Sequence, residues 1–154
     1  FVLHKEAIDL QNTLTEIAEE QRMKAKKQVD IHIKVVPDNL RVNADRQHFM
    51  QIVSNICDNA VKYSHDGVRI DIFCTKDTEG NVVIIISDNG IGISKAHLQH
   101  IFDKFYRVPN KNLHDVKGYG LGLYYVATTM RLHGGTVSVE SERGKGTKFK
   151  LLFR

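Results

Sequence analysis

Hydrophobic positions recur at two different spacings along this chain, and the spacing changes at glycines, prolines and other turn-forming residues. Apolar residues three and four positions apart share one helical face, which predicts helices at about residues 6–26, 45–63 and 119–133. Alternation of apolar and polar residues predicts strands at about residues 29–35, 68–73, 136–140 and 147–151, with a short partner strand at 40–42, and a denser apolar run predicts a further strand at 82–87. A turn at residues 77–81 joins two of these strands as a β-hairpin.

This order of elements predicts an α+β fold. We expect a two-layer α/β sandwich, with three main helices packed on one face of a mixed, mostly antiparallel sheet. No repeat, low-complexity tract or interdomain linker interrupts the sequence. Residues 1–154 are therefore expected to form a single domain.

The segment from about residue 94 to 117 differs from the rest of the chain. It is polar, contains Pro109 and lacks the periodicity needed to bury much surface. We expect this segment to be a mobile lid, with Phe102 and Phe105 holding its base against the core.

Composition narrows the class of protein. The chain is 42% hydrophobic and 26% charged, with a formal charge of +4, as is typical of a globular domain. No aromatic-interleaved basic patch occurs, so nucleic acid is a poor candidate partner, whereas a nucleoside triphosphate suits the mild positive charge. Cys57 and Cys74 show no CxxC spacing and are expected to be reduced thiols. Because the sequence shows no signal peptide and no long apolar run, we expect a cytoplasmic location, with membrane attachment only through segments outside this chain.

A polar stripe runs along the predicted helix at residues 45–63. Asn55, Asn59, Lys62 and Tyr63 follow one another at spacings of four, three and one, so they can line one groove beside an apolar face. Asp45 is a plausible N-cap for this helix. Asparagines in the middle of a helix are often simply solvated, but two of them beside a lysine favour a binding groove.

Three glycine clusters follow at Asp88–Gly92, Gly118–Gly122 and Gly144–Thr147. Glycine lets backbone N–H groups approach an anion closely and adopts positive φ, and a helix N-terminus adds electrostatic attraction. Each cluster could equally be a flexible turn. The spacing matches neither the GxGxxG fingerprint nor the GxxxxGK[ST] loop, which disfavours those two nucleotide-binding folds.

Taken together, the asparagine helix, the three glycine clusters and the sequence at residues 102–107, FDKFYR, resemble five ordered motifs of one family. They are the N, G1, F, G2 and G3 boxes of the catalytic, ATP-binding domain of bacterial sensor histidine kinases, within the GHKL superfamily. The resemblance covers nearly the whole chain and implies the Bergerat-type fold, with ATP and Mg²⁺ as ligands. It assigns nucleotide binding to Asn55, Asn59, Lys62, Tyr63, Asp88, Gly90, Gly92, Ile93, Tyr106, Arg107, Gly118, Tyr119, Gly120, Leu121, Gly122, Leu123 and Thr147.

The resemblance also implies individual roles. Asp88 would accept a hydrogen bond from the exocyclic amine of adenine, and Asn59 would be the protein ligand of Mg²⁺. Lys62 would contact phosphate beside Asn55, and Arg107 would stabilise charge on the terminal phosphate. The resemblance thus implies Asn59, Lys62 and Arg107 as the residues that serve phosphoryl transfer.

One position separates histidine kinases from their relatives. Gyrase B, the heat-shock chaperone ATPases and the mismatch-repair ATPases carry a water-activating glutamate four residues before the magnesium asparagine. Here that position is Asn55, and an amide cannot act as a general base. The sequence therefore favours phosphoryl transfer to another acceptor over rapid hydrolysis.

The resemblance implies three partners and leaves two alternatives open. The phosphoacceptor histidine would lie on a separate dimerisation domain, phosphate would pass on to a response regulator, and the full-length protein would be a homodimer. His32 has Pro37 five residues later, but its segment alternates as a strand, so we interpret the match as chance. His97 and His100 are three residues apart, and we interpret them as solvated helix residues rather than as a metal site. The alternatives are a non-catalytic ATP-sensing module and a water-activating GHKL ATPase.

Overall fold

The computed structural model describes residues 2–106 and 121–154. Helices and strands follow in the order β1 (Lys5–Asp9), α1 (Leu10–Lys24), β2 (Val29–Val35), β3 (Arg41–Asp45), α2 (Arg46–Lys62), β4 (Val68–Lys76), β5 (Val82–Asp88), α3 (Lys95–Leu98), α4 (Gly122–Leu132), β6 (Thr136–Ser141) and β7 (Thr147–Phe153). Three longer helices and the single-turn α3 accompany two sheets in the described part of the chain.

The main sheet has five strands in the order β2-β4-β5-β7-β6. β2 and β4 are parallel, and the other neighbouring pairs are antiparallel, which confirms the predicted mixed, mostly antiparallel sheet. The predicted hairpin between β4 and β5 is also confirmed. Its turn is held by the carboxylate of Asp77, which accepts hydrogen bonds from the backbone N–H groups of Glu79 and Asn81, both at 2.9 Å.

The core lies between this sheet and the helices, as the two-layer prediction required. Alternate residues of β4 and β5 face the helices, and Phe49 of α2 packs its ring 5.8 Å from the ring of Phe153 on β7. The largest fully buried side chains are Phe49, Ile8, Leu10, Leu14, Ile17, Ile52, Ile56, Ile70, Ile72, Ile84, Ile86 and Met130. This apolar layer supports α2, which carries the polar stripe.

The predicted start of the first helix was wrong. Residues from about 6 were expected to be helical, but Lys5–Asp9 form β1 and the helix begins at Leu10. β1 pairs antiparallel with β3, so the strand expected at 40–42 lies at Arg41–Asp45 and has its partner in this separate two-stranded sheet. The Asp9 carboxylate accepts a 3.3 Å hydrogen bond from Asn12 N–H and caps α1.

The predicted bounds of α2 and its N-cap are confirmed. The buried Asp45 carboxylate accepts hydrogen bonds from the backbone N–H groups of His4 at 2.9 Å and His48 at 3.2 Å. The backbone N–H of Asp45 donates to Nε2 of His133, whose Nδ1–H donates to the carbonyl oxygen of Thr129. His133 is therefore held as the neutral Nδ1–H tautomer, and it joins the end of α4 to the start of α2.

The base of the expected lid is only partly as predicted. Phe102 packs against the core, with its ring edge-on to Phe149 at 6.3 Å. Phe105 does not: its side chain is 63% exposed and its φ is +67°. This left-handed conformation is unfavourable for a bulky residue, and it turns the side chain out of the core, under the ammonium of Lys104. Residues 107–120, which include the second half of the expected lid, lie outside the described residues.

Candidate nucleotide-binding site

The candidate site begins at the carboxyl end of β5, where Asp88 ends the strand. Asp88 is half-buried, and one carboxylate oxygen accepts a 2.7 Å hydrogen bond from Gly90 N–H. Burial raises the pKa of Asp88 above its ordinary value, while hydrogen bonds from the N–H groups of Gly90 and Thr147 oppose that rise. The carboxylate is thus held by its own backbone turn in a poorly solvated position, where an incoming hydrogen-bond donor would interact strongly.

The glycines of the Asp88–Gly92 turn allow two neighbouring turns to pack against it. A Cβ atom on Gly90 would lie 2.8 Å from the carbonyl oxygen of Tyr63 and 2.9 Å from Oγ of Ser64. Gly92 has a φ of +76°, and a Cβ there would overlap the carbonyl group of Glu142. Close backbone packing requires glycine at both positions, whether or not a ligand is bound.

The side-chain hydroxyl of Ser141 connects the end of the Asp88–Gly92 turn to the Gly144–Thr147 turn by hydrogen bonds. Ser141 Oγ accepts a 2.7 Å hydrogen bond from Ile93 N–H and donates to the carbonyl of Gly146 at 2.8 Å. It also lies 2.9 Å from Oγ1 of Thr147, which is 8% exposed. Thr147 and Ile93 therefore belong to one framework with Asp88, as their assignment to one site requires.

Asn55 connects α2 to the beginning of α4. Its amide nitrogen donates to the carbonyl of Gly122 at 3.2 Å, and its amide oxygen accepts from Gln51 at 2.7 Å. A carboxylate at this position could not donate to Gly122, because an ionised carboxylate only accepts hydrogen bonds. The structure thus gives Asn55 a role that the sequence did not indicate.

Asn59 and Lys62 lie on the same side of α2 as Asn55, one and two turns further along. The Asn59 side chain is half-buried and makes no hydrogen bond to another described residue, and Lys62 is exposed. An amide oxygen is a ligand type that Mg²⁺ accepts, in combination with phosphate and water oxygens. The residues present therefore fit a magnesium–nucleotide complex bound over this part of α2.

The remaining assigned residues fall into two groups. Tyr63 caps α2, and its carbonyl accepts a 2.9 Å hydrogen bond from Ile91 N–H, which brings it next to the Asp88 turn. The hydroxyl of Tyr106 hydrogen-bonds Nδ1 of His97, and its ring also contacts His100. The structure thus shows Tyr106 in contact with α3, and its contact with nucleotide stays a prediction.

The Gly118–Gly122 cluster is described only at its end. α4 begins at Gly122 with Leu121 as N-cap; Leu121 is 40% exposed, and Leu123 packs against the core. Gly118, Tyr119, Gly120 and Arg107 lie outside the described residues. At its other end α4 stops at Leu132, just before the predicted glycine pair, and Gly134 has a φ of +72°.

Sequence reasoning missed three residues that build the site. Ser64 is 1% exposed and lies against Gly90. Ser141 joins two glycine turns, and Lys27 hydrogen-bonds the carbonyls of Val61 and Ser64. Each contact joins residues far apart in the sequence, so no local pattern indicates it.

The described residues were also compared with the requirements of a metal site and of a membrane-spanning helix. In residues 2–106 and 121–154, no three His, Cys, Asp or Glu side chains meet in an arrangement that could hold a metal ion. His97 instead contacts Tyr106, and His100 pairs with Asp103 at 3.0 Å. None of the helices in these two ranges is long and apolar enough to cross a bilayer.

Comparison with known protein families identifies the family to which this chain belongs. The family model described as histidine kinase-, DNA gyrase B- and HSP90-like ATPase matches residues 44–154. The chain belongs to this ATPase family. The match begins just before α2 and includes all the assigned site residues.

Sensor proteins are among the relatives of this family member. The sensor protein RprX of Bacteroides fragilis is 48% identical over 108 residues, which is 69% of this chain and 21% of RprX. SrrB of Staphylococcus aureus is 39% identical over 105 residues, 68% of this chain and 18% of SrrB. The chain thus spans about a fifth of the length of the curated relatives that it matches.

A solved structure confirms the fold of this ATPase-family domain. The mycobacterial sensor histidine kinase MprB superposes with a TM-score of 0.82 at 24% identity, over 97% of each chain. ShkA, solved at full length in complex with AMPPNP, superposes with a TM-score of 0.85 at 26% identity, over 99% of this chain and 31% of that one. The predicted α+β sandwich and the predicted family are both confirmed.

Proposed function

We propose that this chain binds Mg-ATP and transfers the γ-phosphoryl group to a histidine on a separate dimerisation domain. From there the phosphoryl group passes to an aspartate of a response regulator. The observation that carries this proposal is the family match over residues 44–154, together with an amide at position 55. The relatives named as sensor proteins support the same reading.

The base of ATP is proposed to bind at Asp88. A half-buried carboxylate with a raised pKa is a strong acceptor for the exocyclic amine of adenine once water is excluded. Gly90 and Gly92 bring backbone to the edge of this position, and Thr147 donates to the same carboxylate. ShkA was solved with AMPPNP, an ATP analogue, and the matching fold makes an adenine nucleotide the expected ligand here.

The phosphates are proposed to lie along α2. Mg²⁺ bound with the nucleotide would supply positive charge to neutralise the phosphates. The amide oxygen of Asn59 would be a ligand of this ion, and Lys62, one turn later, would contact phosphate. Arg107, the glycine residues Gly118 and Gly120, and Tyr119 are proposed to complete the phosphate end.

Asn55 directs the phosphoryl group away from water. Its amide cannot accept a proton from an attacking water, and both of its polar atoms are already hydrogen-bonded, to Gln51 and Gly122. Hydrolysis therefore lacks a general base at the position where the superfamily's ATPases carry one. A histidine supplied by another domain brings its own nucleophilic nitrogen and does not need that base.

Calorimetric titration with AMPPNP and Mg²⁺ tests the nucleotide site. Asp88→Asn should weaken binding by about 2–3 kcal/mol, because a charge-assisted hydrogen bond is lost and an amide donor faces the adenine amine. Asp38→Asn, at an exposed carboxylate in the turn after β2, is the matched control and should bind as the original chain does. Unchanged affinity of the Asp88 variant would rule out the adenine assignment.

Transfer of radiolabelled phosphate tests the reaction. Mixed with the dimerisation domain of its own full-length protein, the chain should label that domain's histidine slowly, because the two are not tethered. Asn59→Ala should abolish the labelling by removing the magnesium ligand, and His32→Ala should not change it. Rapid release of free phosphate would instead favour a water-activating ATPase, and nucleotide binding with no transfer would favour a sensing module.

A further inference from the structure

The carboxyl end of α2 has carbonyl groups that need donors from outside the helix, as every helix end does. Tyr63 N–H donates to the carbonyl of Asn59 at 3.0 Å, and Ser64 Oγ donates to the carbonyl of Ala60. The carbonyls of Val61, in the last turn, and of Ser64, just beyond the helix, both accept hydrogen bonds from Nζ of Lys27. The bond to Val61 measures 2.8 Å.

Lys27 reaches this helix end from the loop between α1 and β2. Its side chain is half-buried, and its ammonium group lies at the negative end of the helix dipole, where a cation is favoured. The same loop makes a second contact, because the carbonyl of Gln28 accepts a 3.0 Å hydrogen bond from Val68 N–H. The turn between α2 and β4 is therefore fastened to this loop at both of its ends.

That turn supports the residues proposed to bind the base. Ile91 N–H donates to the carbonyl of Tyr63 at 2.9 Å, and Gly90 lies against that carbonyl and against Ser64 Oγ. Gly90 N–H in turn holds the carboxylate of Asp88 at 2.7 Å. A continuous path of contacts thus runs from Lys27 through residues 63–64 to Asp88.

We infer that Lys27 is a positioning residue for the base-binding end of the nucleotide site. This inference rests on the proposed function, since Asp88 is the proposed contact to adenine. Lys27 itself does not touch the nucleotide in this proposal. It holds the carbonyls of Val61 and Ser64, and through them it sets the distance between the end of α2 and the Asp88–Gly92 turn.

The path predicts which part of nucleotide recognition depends on Lys27. Asp88 distinguishes adenine, which presents an amine, from hypoxanthine, which presents a carbonyl oxygen at the same ring position. A displaced Asp88 turn should weaken that distinction. The magnesium-binding part of the phosphate end depends on Asn59, which precedes both carbonyls that Lys27 holds, so the affinity ratio of ATP to ADP should not change.

The test is calorimetric titration of the 154-residue chain with ADP and with inosine diphosphate, in the presence of Mg²⁺. Lys27→Met should weaken ADP binding by about tenfold and weaken binding of inosine diphosphate much less, so that base discrimination falls. Lys27→Arg, which keeps a charged donor, should restore discrimination. Lys26→Met is the matched control: it removes the same charge from the exposed neighbouring side chain and should behave as the original chain.

Amide NMR shifts provide a second readout. In the ligand-free Lys27→Met chain, the signals of Gly90 and Ile91 should move, and in the Lys26→Met chain they should not. If Lys27→Met does not fold, Lys27→Gln is measured in its place, because glutamine keeps one donor but no charge. The same loss of discrimination is expected, to a smaller extent.

Three results would overturn the inference. The first is unchanged ADP affinity and discrimination in the Lys27 variants, and the second is an equal loss of affinity for both nucleotides together with a lower melting temperature, which a purely structural role would give. In both cases the original chain still binds ADP, so the proposed function stands. The third is failure of the original chain to bind either nucleotide, which overturns the proposed function and the inference together.

Discussion

Gly146 packs directly against the backbone carbonyl of Asp88. A Cβ atom on Gly146 would overlap that carbonyl oxygen and lie 3.0 Å from its carbon, and the φ of Gly146 is +83°. Two separate constraints therefore require glycine at this position. The contact joins the end of β5, with its candidate base-binding carboxylate, to the turn that leads into β7.

Alanine variants of two glycines should separate the cost of the positive φ from the cost of the close contact at Gly146. Gly80, in the β4–β5 turn, has a nearly identical φ of +84° but open space around its Cβ position, so it is the matched control. Gly80→Ala should cost about 1 kcal/mol of unfolding free energy, for the left-handed conformation alone. Gly146→Ala should cost roughly 2 kcal/mol more, because backbone must move to admit the methyl group. Urea unfolding followed by circular dichroism measures both, and equal losses would show that the close contact is unimportant.

Asp88→Asn should stabilise the ligand-free chain although it weakens nucleotide binding. The pKa of Asp88 is raised above 3.8 by burial, so the folded state holds this proton more tightly than the unfolded state does. Stability therefore falls as pH rises from about 3.8 through the folded pKa, and the ionised side chain is unfavourable near neutral pH. Asparagine removes this cost and can still accept from Gly90 N–H.

Thermal melts at several pH values measure this effect. The Asp88→Asn variant should melt higher than the original chain at about pH 7 and lose that advantage near pH 4. Asp38→Asn should show no comparable gain at neutral pH. A lower melting temperature for the Asp88 variant at neutral pH would contradict the prediction.

Asp45 should show the opposite pH dependence. The hydrogen bond from His4 N–H is the main cause that lowers its pKa below 3.8; burial opposes it, and His48 N–H lowers the pKa further. A lowered pKa contributes stability above the unfolded value of about 3.8, and that stability is lost as pH falls through the folded pKa. Asparagine can still cap the helix, but it replaces charge-assisted hydrogen bonds by neutral ones, so Asp45→Asn should cost about 1 kcal/mol near neutral pH and less in acid.

Urea midpoints at about pH 7 and pH 3 compare the two conditions. Asp9→Asn is the matched control, since Asp9 is also an N-cap but accepts a single, longer hydrogen bond of 3.3 Å from Asn12. Its loss should be smaller. Equal losses for Asp45→Asn at both pH values would show that its charge does not contribute.

The two thiols should be unreactive in the native chain. Cys57 and Cys74 are both buried, and burial raises each pKa to about 12. Because the thiolate is the reactive species, iodoacetamide at about pH 8 should label neither cysteine quickly until urea is added. Mass spectrometry of the labelled chain gives the count directly. Fast labelling of either cysteine without denaturant would indicate local opening of the core.

The local pattern of apolar and polar residues predicted most of the fold. It failed for β1, which pairs with a strand that is distant in the sequence. The N-cap, length and buried face of α2 follow from the residues of the helix itself, and the β4–β5 hairpin follows from its turn. β1 has only one fully buried residue, Ile8, and its partner strand β3 lies more than thirty residues later. A five-residue strand with that pattern cannot be distinguished from the start of the helix that follows it.

The sequence indicated which residues could form the candidate site, but it did not indicate the contacts that hold them in place. Asp88 and the glycines could be proposed from the sequence because their motifs are local. Ser141 and Lys27 act through hydrogen bonds, and Ser64 through packing against Gly90, with residues that only the fold brings close. Phe105 was wrongly expected in the core, since an apolar residue carries no sign that its backbone will be left-handed.

The strand order also determines when the sheet can form during synthesis. β7 is the last strand along the chain, yet it lies between β5 and β6. Until residues 147–153 leave the ribosome, β5 can pair only with β4, and its other edge, with the apolar run Val82–Ile86, is open. An open apolar edge of this kind invites pairing with other chains. The nascent domain therefore depends on its final strand for protection against aggregation, and a chain that stops before residue 147 should be recovered mainly as insoluble protein.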